Sequence, residues 1–197
     1  SSTVDYTFTN FDGGEVTILD NTQSSGINTS AKVAQMVKNA GQPWGGGWIA
    51  LGAPIDFSAG TMFKMKVFSP RAGAKVLLKV ENISNAGIAF EKELATTKAN
   101  EWEELTFDFS EINTSESYQK VVLIFDLGTM GDGSANFTFL FDDIMLEGIT
   151  GVEEDALSNL SIYTFNKQLV VNCENELLDG KIEVFDLTGR KILNSLI

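Results

Sequence analysis

The sequence predicts an all-β antiparallel sandwich, followed by a small second β unit. Three observations carry this. Apolar and polar residues alternate through most segments, the period of a strand with one buried face. Turn signals divide those segments into short lengths, as in sandwiches and barrels. Only one segment, residues 30–39, places apolar residues at helical spacing.

Residues 6–11 alternate aromatics with Thr and Asn, and Asp12-Gly13-Gly14 closes them with a turn. Residues 30–39 are open between helix and strand, since Val33, Met36 and Val37 suit a helix but the run is short. From Trp48, period two puts Ile49 and Leu51 on one face and Trp48 and Ala50 on the other. Residues 62–68 set Phe63, Met65 and Val67 against Lys64 and Lys66. Residues 76–82 turn Val76, Leu78 and Val80 inward, with Leu77, Lys79 and Glu81 opposite. Residues 103–109 put Leu105, Phe107 and Phe109 on one face. Residues 121–127 are apolar on both faces, as a central strand can be, and residues 137–146 alternate again. The stretch 148–159 loses periodicity and carries Glu153-Glu154-Asp155, which reads as a solvated linker. Beyond it, 160–172 and 181–193 read as strands, the second broken by Thr188-Gly189. The domains expected are 1–148, a linker 149–159, and 160–197.

Composition narrows the function. The 197 residues carry 14 Lys plus Arg against 27 Asp plus Glu, a net charge of -13. Nucleic acid and anionic membranes would repel such a chain, so neither is expected as a partner. There is no histidine, so the commonest general base and transition-metal ligand are missing. The single Cys173 has no partner for an internal disulfide and reads as inert packing. No apolar run approaches the roughly 20 residues of a membrane span.

Two of the three tryptophans, Trp44 and Trp48, flank Gly45-Gly46-Gly47. With Ile49 and Leu51 in the core, Trp48 faces out beside a small residue and a glycine loop. That arrangement suits stacking on a flat apolar ligand face, and sugar rings have such faces. Lys79 and Glu81 face outward too, where they serve either as hydroxyl-binding groups or as a surface ion pair. Asn82 and Asn85 follow as rim candidates. Trp102 shares parity with Glu104 and Thr106, which puts it on the outer face, but a bulge would flip it into the core, and the core reading is the one favoured.

Residues 1–148 resemble jelly-roll carbohydrate-binding modules of Bacteroidetes-type surface glycan-binding proteins and glycoside hydrolases. The residues that carry the likeness are Asn10-Phe11-Asp12-Gly13, the run from Trp44 to Ser58, and Leu78-Lys79-Val80-Glu81. Further matches are Glu101-Trp102-Glu103 leading to Phe107-Asp108-Phe109-Ser110, and Phe141-Asp142-Asp143-Ile144. The resemblance implies polysaccharide binding without catalysis. It also implies a structural calcium tying the first strand to the last, with Asp12 and Asp143 at the matching positions; Ca²⁺ suits oxygen ligands on an acidic chain.

Residues 160–197 resemble a partial type IX secretion sorting domain. The matching residues are 160–171 and the run from Ile182 to Lys191, although Tyr163-Thr164-Phe165-Asn166 stands where that family opens on Tyr-Pro-Asn-Pro. This second resemblance implies export machinery as a partner and a secreted or cell-surface location. The function expected is non-catalytic binding of a neutral β-glucan, laminarin or mixed-linkage, by a monomer. A ligand-free structural spacer or adhesion domain is the alternative. A glycoside hydrolase comes third, because Glu101, Glu103, Glu104, Asp142 and Asp143 show neither the cleft nor the split environments an acid–base pair needs.

Overall fold

The protein is described from a computed structural model, which covers residues 6–58 and 60–147 and the strands of a second unit. The chain divides into Ser1–Ile149 and Thr150–Ile197. In the first unit ten strands form two five-stranded sheets, every pairing antiparallel. The first sheet runs β1 (Thr9–Phe11), β4 (Gly46–Ala50), β9 (Lys120–Phe125), β6 (Lys75–Glu81), β7 (Ala89–Ala95). The second runs β2 (Gly14–Asp20), β3 (Lys32–Lys38), β10 (Thr138–Glu147), β5 (Met62–Phe68), β8 (Trp102–Asp108). Only a single 3-10 turn at Ala135–Phe137 is helical among the described residues.

Residues 30–39 are therefore a strand. The helical spacing of Val33, Met36 and Val37 arises because both faces of β3 are covered. Met36 points into the core, while Val33 is buried on the outside with Trp102 and Leu140. The alternating residues of the two sheets meet in one core: Met36, Met65, Val67, Val76, Leu78, Val80, Phe107, Leu123, Phe125 and Phe139 are all fully buried. Its rings pack edge-on or tilted, as Phe63 on Phe109 at 5.0 Å and Phe125 on Phe139 at 5.2 Å.

The sheets differ in what covers their outer faces. Residues 21–31, joining β2 to β3, reach over the outside of the second sheet. The Trp102 indole N–H donates to the Gln23 carbonyl at 2.8 Å, and the fully buried Asn28 donates to Asp142 at 3.0 Å. Trp102 thus points outward, as its parity says, yet is buried under this loop against Phe68. No bulge is needed to bury it.

Lys38 ends β3 on the core side and is wholly buried. Its ammonium donates to three backbone carbonyls: Pro43 at 2.7 Å, Asp126 at 2.8 Å and Phe125 at 3.0 Å. Burial pushes its pKa down to about 8, against the pull of the Asp126 charge. Asp126 itself is paired with Arg71, whose guanidinium lies over Phe137 and Phe139.

The second unit contains two antiparallel hairpins. One pairs β11 (Ser161–Phe165) with β12 (Gln168–Asn172), the other β13 (Lys181–Phe185) with β14 (Lys191–Leu196). The expected linker 149–159 and Cys173 lie outside the described residues.

Candidate functional site

The outer face of the first sheet is built by cross-strand rows. Thr9, Trp48, Val122, Lys79 and Glu91 stand opposite one another on β1, β4, β9, β6 and β7. The next row toward one end is Ala50, Lys120, Glu81 and Ala89. Toward the other end Leu77 stands between Ile124 and Glu93, with Phe11 beside Gly46. Val122, Leu77 and Ile124 are buried although they face away from the core. They form an apolar floor beneath the longer side chains, which explains why β9 reads as apolar on both faces.

Trp48 faces outward as its parity requires and is half-buried beside this floor. The Lys120 ammonium lies 4.4 Å from the centroid of its ring, a cation–π contact that fixes the indole and covers one of its faces. Lys120 in turn bonds Glu81 at 2.7 Å, and Lys79 bonds the same carboxylate at 2.9 Å. Burial alone would raise the Glu81 pKa, but the hydrogen bonds from Lys120 and Lys79 outweigh it and hold the carboxyl below its ordinary value. Trp48, Lys120, Glu81 and Lys79 therefore make one connected group.

Trp44 is half-exposed at the end of β4 and donates its indole N–H to Asp12 at 2.8 Å. It lies in the turn before β4, four residues from Trp48. The glycines between them answer to close packing, against backbone at Gly45 and Gly46 and against Val16 at Gly47. A Cβ on Gly45 would come within 2.4 Å of the Asp12 carbonyl, and one on Gly46 within 2.3 Å of the Leu123 carbonyl. Gly46→Ala must push β4 off β9, and a fall in melting temperature, read by thermal denaturation, is the expected result.

Asn82 and Asn85 build the β6–β7 turn. Asn82 accepts from the Ser84 and Asn85 N–H groups and donates to the Ser117 carbonyl, and Asn85 accepts from the Gly87 N–H. Their side-chain oxygens are committed to the loop, away from the Trp48 row.

The structure does not bring Asp12 and Asp143 together. Asp12 precedes Gly14, which pairs with Lys38 at one end of β3. Asp143 follows Phe141, which pairs with Ala34 toward the other end. Roughly 20 Å of strand separates the two levels, whereas ligands of one Ca²⁺ each lie within about 2.6 Å of it. Asp143 instead bonds Lys66 at 2.6 Å. Among the described residues no group of three or more Asp, Glu, Cys or His side chains is placed to hold a metal. Asp12 and Asp143 therefore do not share one metal position in this structure.

Phe11, Lys120 and the floor are the parts sequence reading missed. Lys120 lies one residue before the segment read as a strand, and Phe11 lies out of step with Phe8, which packs against the core.

No family model matches the sequence, and neither does any curated protein. Solved structures do match the sandwich. One is a family 11 carbohydrate-binding module from Clostridium thermocellum in complex with a beta-1,3-1,4-mixed-linked tetrasaccharide: 12% identity, 72% of this chain, 88% of that chain and a TM-score of 0.51. A solution structure of CtCBM11 matches at 12% identity and TM-score 0.51, over 77% of this chain and 93% of that one. An exo-beta-agarase matches at 14% identity and TM-score 0.57, covering 81% of this chain but 26% of the enzyme. At these identities the likeness is one of fold: the chain carries the antiparallel β-sandwich found in these carbohydrate-binding modules.

Proposed function

We propose that the first unit binds uncharged polysaccharide on the outer face of its first sheet and does not cleave it. The observation that carries this is Trp48, turned out of the core beside an apolar floor and joined to Lys120, Glu81 and Lys79. A pyranose ring offers an apolar face to the indole and hydroxyls to the charged groups, and both halves of that complement are present. The similar module solved with a mixed-linkage tetrasaccharide makes β-glucans of the mixed-linkage and laminarin kinds the first ligands to try. Glu81 is a poor general acid, because two ammonium groups hold it ionised, and this favours binding over hydrolysis. The sorting-domain resemblance of residues 160–197 supports export to the cell surface, where polysaccharide is met. Titration of laminarin and mixed-linkage β-glucan should change tryptophan emission without releasing reducing ends. Unchanged emission with every neutral glycan, or steady release of reducing sugar, would overturn the reading.

A further inference from the structure

We infer that Glu81 sets the charge class of the ligand, admitting uncharged glycans and rejecting uronic or sulfated ones; this rests on the face described above being the glycan site. The strand residues of that face carry three lysines, Lys75, Lys79 and Lys120, and three glutamates, Glu81, Glu91 and Glu93. Each lysine is matched. Lys75 bonds Glu93 at 2.8 Å, and Lys79 and Lys120 share Glu81. Glu91 stands directly opposite Lys79 on the edge strand.

Depth distinguishes Glu81 from the other two. Its side chain is 9% exposed, while those of Lys79 and Lys120 above it are 26% and 19% exposed. A ligand therefore meets the two ammonium groups first, with half their charge compensated from beneath by Glu81, and with Glu91 standing beside them on the edge strand. Each ammonium has three donors, so hydroxyl oxygens can still be bonded. A ligand carboxylate or sulfate gains little there, because it must share the lysines with Glu81 and lies near Glu91. Without Glu81, the same two lysines beside an aromatic ring would form an anion site.

Glu81→Gln tests this, since the amide keeps the shape and one acceptor oxygen while losing the charge. The probes are mixed-linkage β-glucan and polygalacturonate, with melting temperature recorded for every variant. Wild type should bind the glucan and not the uronate. Glu81→Gln should gain uronate affinity by about tenfold or more, a gain that fades as salt rises. Adding Lys79→Gln to that variant should remove the gain. Glu91→Gln changes an exposed position on the edge strand and should leave the melting temperature near that of wild type. It should move uronate affinity in the same direction by less, and it decides the matter should Glu81→Gln not fold. Wild-type preference in the folded variants, or uronate binding by wild type as tight as by Glu81→Gln, would overturn the inference. Failure of the underlying reading is separately visible, because Trp48→Ala would then bind β-glucan as wild type does.

Discussion

Lys38→Met should destabilise the sandwich by about 2–4 kcal/mol, seen as a melting temperature lower by roughly 5–15 °C. The methionine fills similar volume but leaves the carbonyls of Pro43, Phe125 and Asp126 without their shared donor. It also removes the positive charge beside the Arg71–Asp126 pair. Burial of the ammonium already works against the fold, so the net loss is smaller than three charge-assisted bonds would suggest. The pH dependence supplies a second readout. Lys38 ordinarily titrates near 10.5 and in the folded protein near 8. Between those values the unfolded chain holds a proton that the folded chain has released, so wild-type stability should gain from rising pH across that window. Lys38→Met lacks that gain, so the gap between the two proteins should widen from pH 8 toward 10.5. A variant as stable as wild type at pH 7, with a parallel pH profile, would show that the ammonium is not integral to the fold.

Trp102→Ala should cost about 3–5 kcal/mol, the range for truncating a buried aromatic. The substitution removes the ring packed on Phe68 at 5.6 Å and the N–H that fastens residues 21–31 through Gln23. Trp102→Phe separates the two contributions. It keeps most of the packing, loses the N–H, and should cost about 1 kcal/mol while making residues 21–31 the first site of proteolysis. Chemical denaturation and limited proteolysis check both. Glycan binding should survive in whatever fraction stays folded, because Trp102 lies on the second sheet and the Trp48 row on the first. A Trp102→Ala protein that melts like wild type but loses glycan would place the binding face on the wrong sheet.

Strands with one wet face were legible. Residues 62–68 match β5 to the residue, because Lys64 and Lys66 alternate cleanly with Phe63, Met65 and Val67. Reading failed where both faces are covered or where parity is interrupted. β3 mimicked a helix because Trp102 and Leu140 bury Val33 on the outer face of the second sheet. β7 went unread because Lys92 stands between Phe90 and Leu94 on the inward side, its ammonium lying over the Phe90 ring at 5.2 Å. Lys38 shares parity with Ala34 and Met36, a signal that could have marked it as buried.

The candidate site was half legible. Strand parity placed Trp48, Lys79 and Glu81 on one face, and register brings them together with Lys120. No local pattern could show that Asp12 and Asp143 lie at opposite levels of β3, since that follows from which strands pair and in what register. Nor could it show that the amides of Asn82 and Asn85 close a turn. The glycines at 45–47 pointed to a loop, whereas a side chain is excluded there by the Asp12 backbone at Gly45, the Leu123 carbonyl at Gly46 and the Val16 side chain at Gly47.

Calorimetric titration of mixed-linkage β-glucan into wild type and Trp48→Ala addresses the central claim most directly. The account predicts that Trp48→Ala loses about 1–3 kcal/mol of binding, as an aromatic hot spot does, with its melting temperature close to that of wild type. Wild-type affinity should change little with salt, since stacking on an uncharged ring is not screened. Binding by Trp48→Ala equal to that of wild type, or a variant whose fold collapses so that the ring is packing alone, would contradict it.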